Sequence, residues 1–122
     1  MTKMTLDELD EKKKSLQVQL EIIQDRRRLL RESQDETRGL QEEILQSMRQ
    51  SEYYINTEKE MADHQDISLS ISQDYQMIDD YYDQQFQKLK NEEDQTLDSI
   101  DDLIREQQKR YYQEDGGLTD NG

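Results

Sequence analysis

The chain has no cysteine, no proline and no tryptophan, and only four glycines and one histidine in 122 residues. Without cysteine there is no disulfide framework and no thiolate metal site, which leaves the choice between cytosol and exterior open. A lone His64 supplies no His-rich ligand set. Met61, three residues before it, stands where a di-iron bundle would need glutamate. No apolar run reaches ten residues, so neither a transmembrane span nor a signal-peptide core is expected, and the chain starts in the cytoplasm. Apolar residues make up 30% against the 45–50% or so of ordinary globular domains, which argues against a compact core. Sixteen basic against thirty acidic residues give a net charge of -14, which repels nucleic acid and anionic lipid; no nucleic acid partner and no direct membrane insertion are expected.

What is present is helical periodicity. Three of the four glycines fall in the last seven residues (Gly116, Gly117, Gly122), so almost nothing punctuates the preceding chain. Thr5-Leu6-Asp7-Glu8 has capping-box spacing, with a hydroxyl aimed at the third amide. From there Leu9, Leu16, Ile23, Leu30, Thr37 and Ile44 recur every seven residues. Their companions are Leu6, Lys13, Leu20, Arg27, Gln34, Gln41, Met48 and Ile55. A repeat of 3.5 residues per turn describes a left-handed coiled-coil seam, apolar at both ends and polar in the middle. Gly39 costs on the order of 1 kcal/mol inside a helix, yet the register resumes at Ile44 without a phase shift, so one continuous helix over about residues 5–62 is expected.

Residues 63–72 are rich in Ser and Asp, which favour caps over helix interiors, and a turn is expected at about 63–69. A second helix follows over about 70–113. Its seam runs through Ile71, Tyr75, Ile78, Tyr82 and Leu89, then Leu97, Ile100, Ile104 and Tyr111, with a four-residue stutter between Leu89 and Leu97. Residues 114–122 are expected to be a disordered acidic tail. The fold class is therefore all-α: a long antiparallel two-helix hairpin, coiled-coil-like, as domain 1–113. The first 62 residues carry 11 basic and 14 acidic groups and the remainder 5 and 16, so the second arm is strongly acidic.

Candidate chemistry is sparse. The acidic clusters Asp79-Asp80-x-x-Asp83, Glu92-Glu93-Asp94 and Asp98-x-x-Asp101-Asp102 lack the glycine that an EF-hand loop needs, and read as solvated helix faces. Lys12-Lys13-Lys14 and Arg26-Arg27-Arg28 are flanked by acids and read as solvated or salt-bridging residues. His64 reads as a solvated turn residue. No nucleophile-base pair, phosphate loop or metal site is evident, so no enzyme activity and no cofactor is expected. In the pairs Tyr53-Tyr54, Tyr81-Tyr82 and Tyr111-Tyr112 one ring can enter the seam while the other flanks it, which suits either seam-edge packing inside the hairpin or an interface with a partner.

A Pro-free, Cys-free hairpin of this size ending in Tyr111-Tyr112-Gln113-Glu114-Asp115 resembles the small accessory proteins of the Gram-positive type VII secretion system. These include the WXG100-like proteins and the targeting factors that accompany LXG-domain toxins. The resemblance implies a cytoplasmic adaptor or targeting chaperone, with co-secretion as a further option. Its implied partners are a helical protein, an LXG-domain toxin, and a second small accessory protein. Tyr111-x-x-x-Asp115 resembles the export signal of that superfamily, although this chain has no Trp-x-Gly turn. The residues expected to contact the partner are Leu9, Leu16, Leu20, Ile23, Leu30, Ile44, Tyr82, Leu89 and Leu97, with Tyr111 and Asp115 as the export-signal candidate. Two alternatives fit the composition: an acidic inhibitor or DNA mimic that fills a basic cleft, and a self-assembling structural coiled coil.

Overall fold

Thr5 opens the first helix as its spacing predicts: the Glu8 amide donates to Thr5 Oγ1 at 3.1 Å, and the Leu9 amide makes the first helical bond to the Thr5 carbonyl at 3.0 Å. The computed structural model describes residues 4–119, with side chains to residue 113. Helix α1 runs Leu6–Ser51, a 3₁₀ turn follows at Glu52–Tyr54, and helix α2 runs Glu58–Thr119; the described residues include no strand. The two helices pack antiparallel as a hairpin. Gly39 lies inside α1 without interrupting it.

The reversal falls at residues 52–57, not at the expected 63–69, and α1 ends eleven residues sooner than expected. Ser51 begins the exit by donating its hydroxyl to the Met48 carbonyl at 2.7 Å, satisfying one of the orphan acceptors at the helix end. Ile55 then adopts extended backbone, with its amide bound to the Glu52 carbonyl. No residue here needs positive φ, so the chain reverses without glycine or proline. Thr57 caps α2: the Glu60 amide donates to Thr57 Oγ1 at 3.1 Å, and the Glu60 carboxylate reaches back to the Asn56 amide at 3.0 Å. This is a capping-box arrangement displaced by one amide, and it fixes where the second helix starts.

The Ser-rich stretch expected to form the turn is instead the second and third turns of α2. Ser68 donates to the His64 carbonyl at 2.9 Å, so its hydroxyl is satisfied within the helix and does not break it. His64 is accordingly not a solvated turn residue. It sits half-buried in α2, with Nε2 3.2 Å from Glu52 Oε1 across the reversal. At the other end the backbone of α2 stays helical through Thr119, six residues past the expected end. The expected tail at 114–122 lies outside the described side chains, and residues 120–122 lie outside the described residues altogether.

The chain divides into two compact units. A terminal unit comprises Met1–Arg26 with Leu89–Gly122, and a turn unit comprises Arg27–Lys88. In the terminal unit Leu9, Ile23, Leu89 and Ile100 form the buried apolar core, joined by buried Thr96 and Gln107. Lys13 Nζ donates to Gln107 Oε1 at 3.3 Å, so the lysine predicted in the seam is tied to a polar partner rather than left bare. Arg110 donates to the Met4 carbonyl and pairs with Glu106 at 3.1 Å, tying Met4 to α2. On the surface Lys14, 3.2 Å away, with Lys13 at 3.7 Å, holds the Asp10 carboxyl below its usual range.

Candidate interaction surface

In the turn unit the seam of α1 passes through Leu30, Gln34, Thr37, Gln41, Leu45 and Met48, all half-buried. On α2 it passes through Ile71, Tyr75, Ile78 and Tyr82, and Tyr82 alone of the unit's apolar side chains is buried. Hydrogen bonds join the two strips at Tyr82 and Tyr75. Tyr82 Oη lies 2.8 Å from Ser33 Oγ and 2.9 Å from Thr37 Oγ1, and the Tyr75 hydroxyl donates to the Gln41 carbonyl at 3.5 Å. These bonds set which residues of α1 stand level with which residues of α2. The buried Gln41 Nε2 finds no protein acceptor.

The seam also shifts phase twice relative to the expected heptads. After Gln41 it continues at Leu45, leaving Ile44 exposed on the flank. In the terminal unit it steps from Leu89 through Glu93 to Thr96, so Thr96 is buried and Leu97 is 41% exposed. Thr96 can occupy that site because its hydroxyl donates to the Glu92 carbonyl at 2.7 Å and is satisfied within its own helix.

Of the nine residues expected to meet a partner, seven face the opposite helix of their own unit. Leu9, Ile23 and Leu89 are buried and Leu16 and Leu20 half-buried in the terminal unit; Tyr82 is buried and Leu30 half-buried in the turn unit. Only Ile44 and Leu97 stand clear of the seam. Tyr111 is exposed, and the side chain of Asp115 lies outside the described residues.

The large apolar side chains that do face outward are others. In the turn unit they are Leu29, Leu40, Ile44, Tyr53, Tyr54, Met61, Ile67, Leu69, Met77 and Tyr81. Exposed apolar side chains are ordinary when scattered, and informative when they share a face. At about 100° per residue, Leu29, Leu40 and Ile44 lie on one flank of the α1 seam, and Ile67, Met77 and Tyr81 lie on a flank of the α2 seam in the same rotational sense. In an antiparallel pair, equal senses bring both flanks to one side. The register set by Tyr75–Gln41 and Tyr82–Thr37 then puts Leu40 level with Met77. Tyr81 stands edge-on to the buried Tyr82 ring, with centroids 5.7 Å apart, which fixes its direction. The sequence signal for this strip was the eleven-residue interval from Leu29 to Leu40 with Ile44 one turn on, a period that a heptad reading passes over.

The opposite side of the turn unit carries Arg31, Arg38 and Arg49 from α1 with Asp79 and Asp83 from α2, and has the usual mixed-charge character of a solvated surface. Shallow clefts line both units. One of about 610 Å³ lies beside the reversal, lined by Gln46, Arg49, Gln50, Glu52, Tyr53 and Met61. Among the described residues no group of three or more His, Asp or Glu side chains is placed to hold a metal ion, and no helix is long and apolar enough to cross a membrane. Comparison with known protein families, with curated proteins and with solved structures finds no match for this chain.

Proposed function

We propose that this chain is a non-catalytic adaptor, a helical hairpin that packs alongside the helical domain of a partner protein and presents it to the secretion machinery. The partner class that the sequence resemblance favours is the LXG-type toxin, with the adaptor acting in the cytoplasm as targeting chaperone for type VII secretion. The observation that carries this reading is the division of apolar surface. Pairing α1 with α2 buries only five apolar side chains among the described residues, while fifteen large ones stay exposed. Water-exposed rows of leucine, methionine and tyrosine on an otherwise highly charged hairpin are the mark of a surface that another helix covers.

The test is co-expression with the N-terminal helical domain of an LXG toxin. A complex that survives size-exclusion chromatography is expected, with a hairpin melting several degrees higher than alone, since a ligand that binds only the folded state stabilises it by mass action. Failure to co-elute at micromolar concentration overturns the reading. In the same system Tyr111→Ala is expected to leave binding intact and reduce toxin export; normal export of that variant removes Tyr111 from the export signal.

A further inference from the structure

The two sides of the turn unit differ in chemistry as well as in exposure. The strip formed by Leu29, Leu40 and Ile44 on α1 with Met77 and Tyr81 on α2 has Leu40 60%, Met77 70% and Tyr81 56% exposed. Its carboxylates are Glu36 and Glu43 along the α1 edge and Asp74 on the α2 flank, level with Glu43 in the register set by the two tyrosines, with Lys88 at the Leu29 end. The arginines of α1 in this unit that the preceding subsection names, Arg31, Arg38 and Arg49, all fall on the other side. From Leu29 to Ile44 the strip is about 22 Å long at 1.5 Å per residue, or roughly four helical turns.

We infer that this strip is a docking groove for one amphipathic helix whose apolar stripe is flanked by lysine and arginine. Apolar side chains at i, i+3 or i+4, and i+7 would cover Leu40, Met77 and Tyr81, and basic residues beside that stripe would meet Glu36 and Glu43 on the α1 edge and Asp74 on α2. The polar seam beneath it fixes the register of the groove, so the helix meets a preformed surface. A second copy of this chain is the wrong occupant: each copy carries a net charge of -14, and face-to-face association would set acidic border against acidic border. The inference rests on the adaptor reading and adds to it the place and the charge of the partner helix.

The probe is a designed amphipathic peptide of about four helical turns with a leucine stripe and lysine flanks, alongside the same peptide with glutamate flanks, titrated by fluorescence anisotropy into the full chain. The lysine peptide is expected to bind, more weakly as salt rises, and the glutamate peptide to bind at least roughly tenfold less well. The double variant Leu40→Glu with Met77→Glu is expected to weaken the lysine peptide by a similar factor while circular dichroism and the melting curve stay unchanged, because both side chains are exposed. Leu69→Glu, exposed on the other side of α2, is expected to leave binding as it is. Equal binding of the two peptides, or a double variant that binds like wild type, overturns the groove. So does a dimer of the wild-type chain that the double variant abolishes. The same proteins presented to the LXG helical domain separate the two readings. A domain captured equally by wild type and double variant removes the groove and keeps the adaptor. A groove that binds the lysine peptide in a chain that never captures the domain keeps the groove and removes the toxin.

Discussion

In the terminal unit four aliphatic side chains, Leu9, Ile23, Leu89 and Ile100, are buried against one another's helices; in the turn unit Tyr82 is the one buried apolar side chain among the described residues, and its hydroxyl is held by Ser33 and Thr37. Full burial of a leucine or isoleucine contributes about 1.5–3 kcal/mol, whereas a hydrogen bond exchanged for one with water nets about 0.5–1.5 kcal/mol. The terminal unit is therefore the clamp of the hairpin. The turn unit half-buries its seam aliphatics, sets its register by hydrogen bonds, and leaves Leu29, Leu40, Ile44 and Met77 exposed where a partner can reach them. Polar layers inside helical seams are best attested in that registering role.

The largest expected effect breaks this comparison if it is wrong. Ile23→Ala removes a side chain only 5% exposed and is expected to cost about 2–4 kcal/mol in urea unfolding followed by circular dichroism. Leu30→Ala, seven residues later but half-buried in the turn unit, is expected to cost about 1 kcal/mol, because solvent already reaches the site and less apolar area is lost. Equal losses at the two positions would mean that both units are clamped alike.

A second, smaller effect has the opposite sign. Gln41 buries an amide nitrogen with no protein acceptor, and an unmade hydrogen bond of that kind costs about 1–3 kcal/mol. Gln41→Leu keeps the backbone carbonyl that receives the Tyr75 hydroxyl and removes the orphan donor. The melting temperature is expected to rise, by an amount equivalent to about 1 kcal/mol, with amide exchange slowing in the turn unit first. A destabilised Gln41→Leu would show that this polar layer holds the turn unit together in addition to setting its register.

The same contrast explains which parts of the structure were legible beforehand. Thr5 as a cap, the seven-residue seam from Leu6 to Gln41 and the all-helical hairpin follow from local chemistry that nothing later in the chain overrides. The Ser- and Asp-rich stretch competes as a turn signal by composition, whereas the reversal is made by Thr57 and Glu60 at the same cap spacing and needs no glycine. Ser68 bonds to its own helix, an option that composition does not announce. At Ile44/Leu45 and Thr96/Leu97, two adjacent residues could each fill the seam, and the opposing helix makes the choice. Those slips by one residue turned Ile44 and Leu97 outward. The heptad pattern points to the seam as the contact surface, yet a hairpin uses its seam on itself, and the outward strip at Leu29, Leu40, Met77 and Tyr81 follows a different period.

The smallest expected effect concerns Gly39, the single glycine inside α1 and a member of the turn unit. A Cβ built there meets nothing within 4 Å, its φ is negative, and the helix runs through it unbroken. Steric fit therefore puts no demand on glycine at this position, and what remains is its backbone entropy in the unfolded chain. Gly39→Ala is expected to raise stability by about 0.5–1 kcal/mol, read as a shift of the urea midpoint with an unchanged slope. Because the added methyl touches nothing, the gain belongs to α1 itself, and the two units are expected to differ slightly less in amide protection than before. If stability falls instead, the helix bends at Gly39 in solution, and the looseness of the turn unit is set by its backbone as well as by its polar seam.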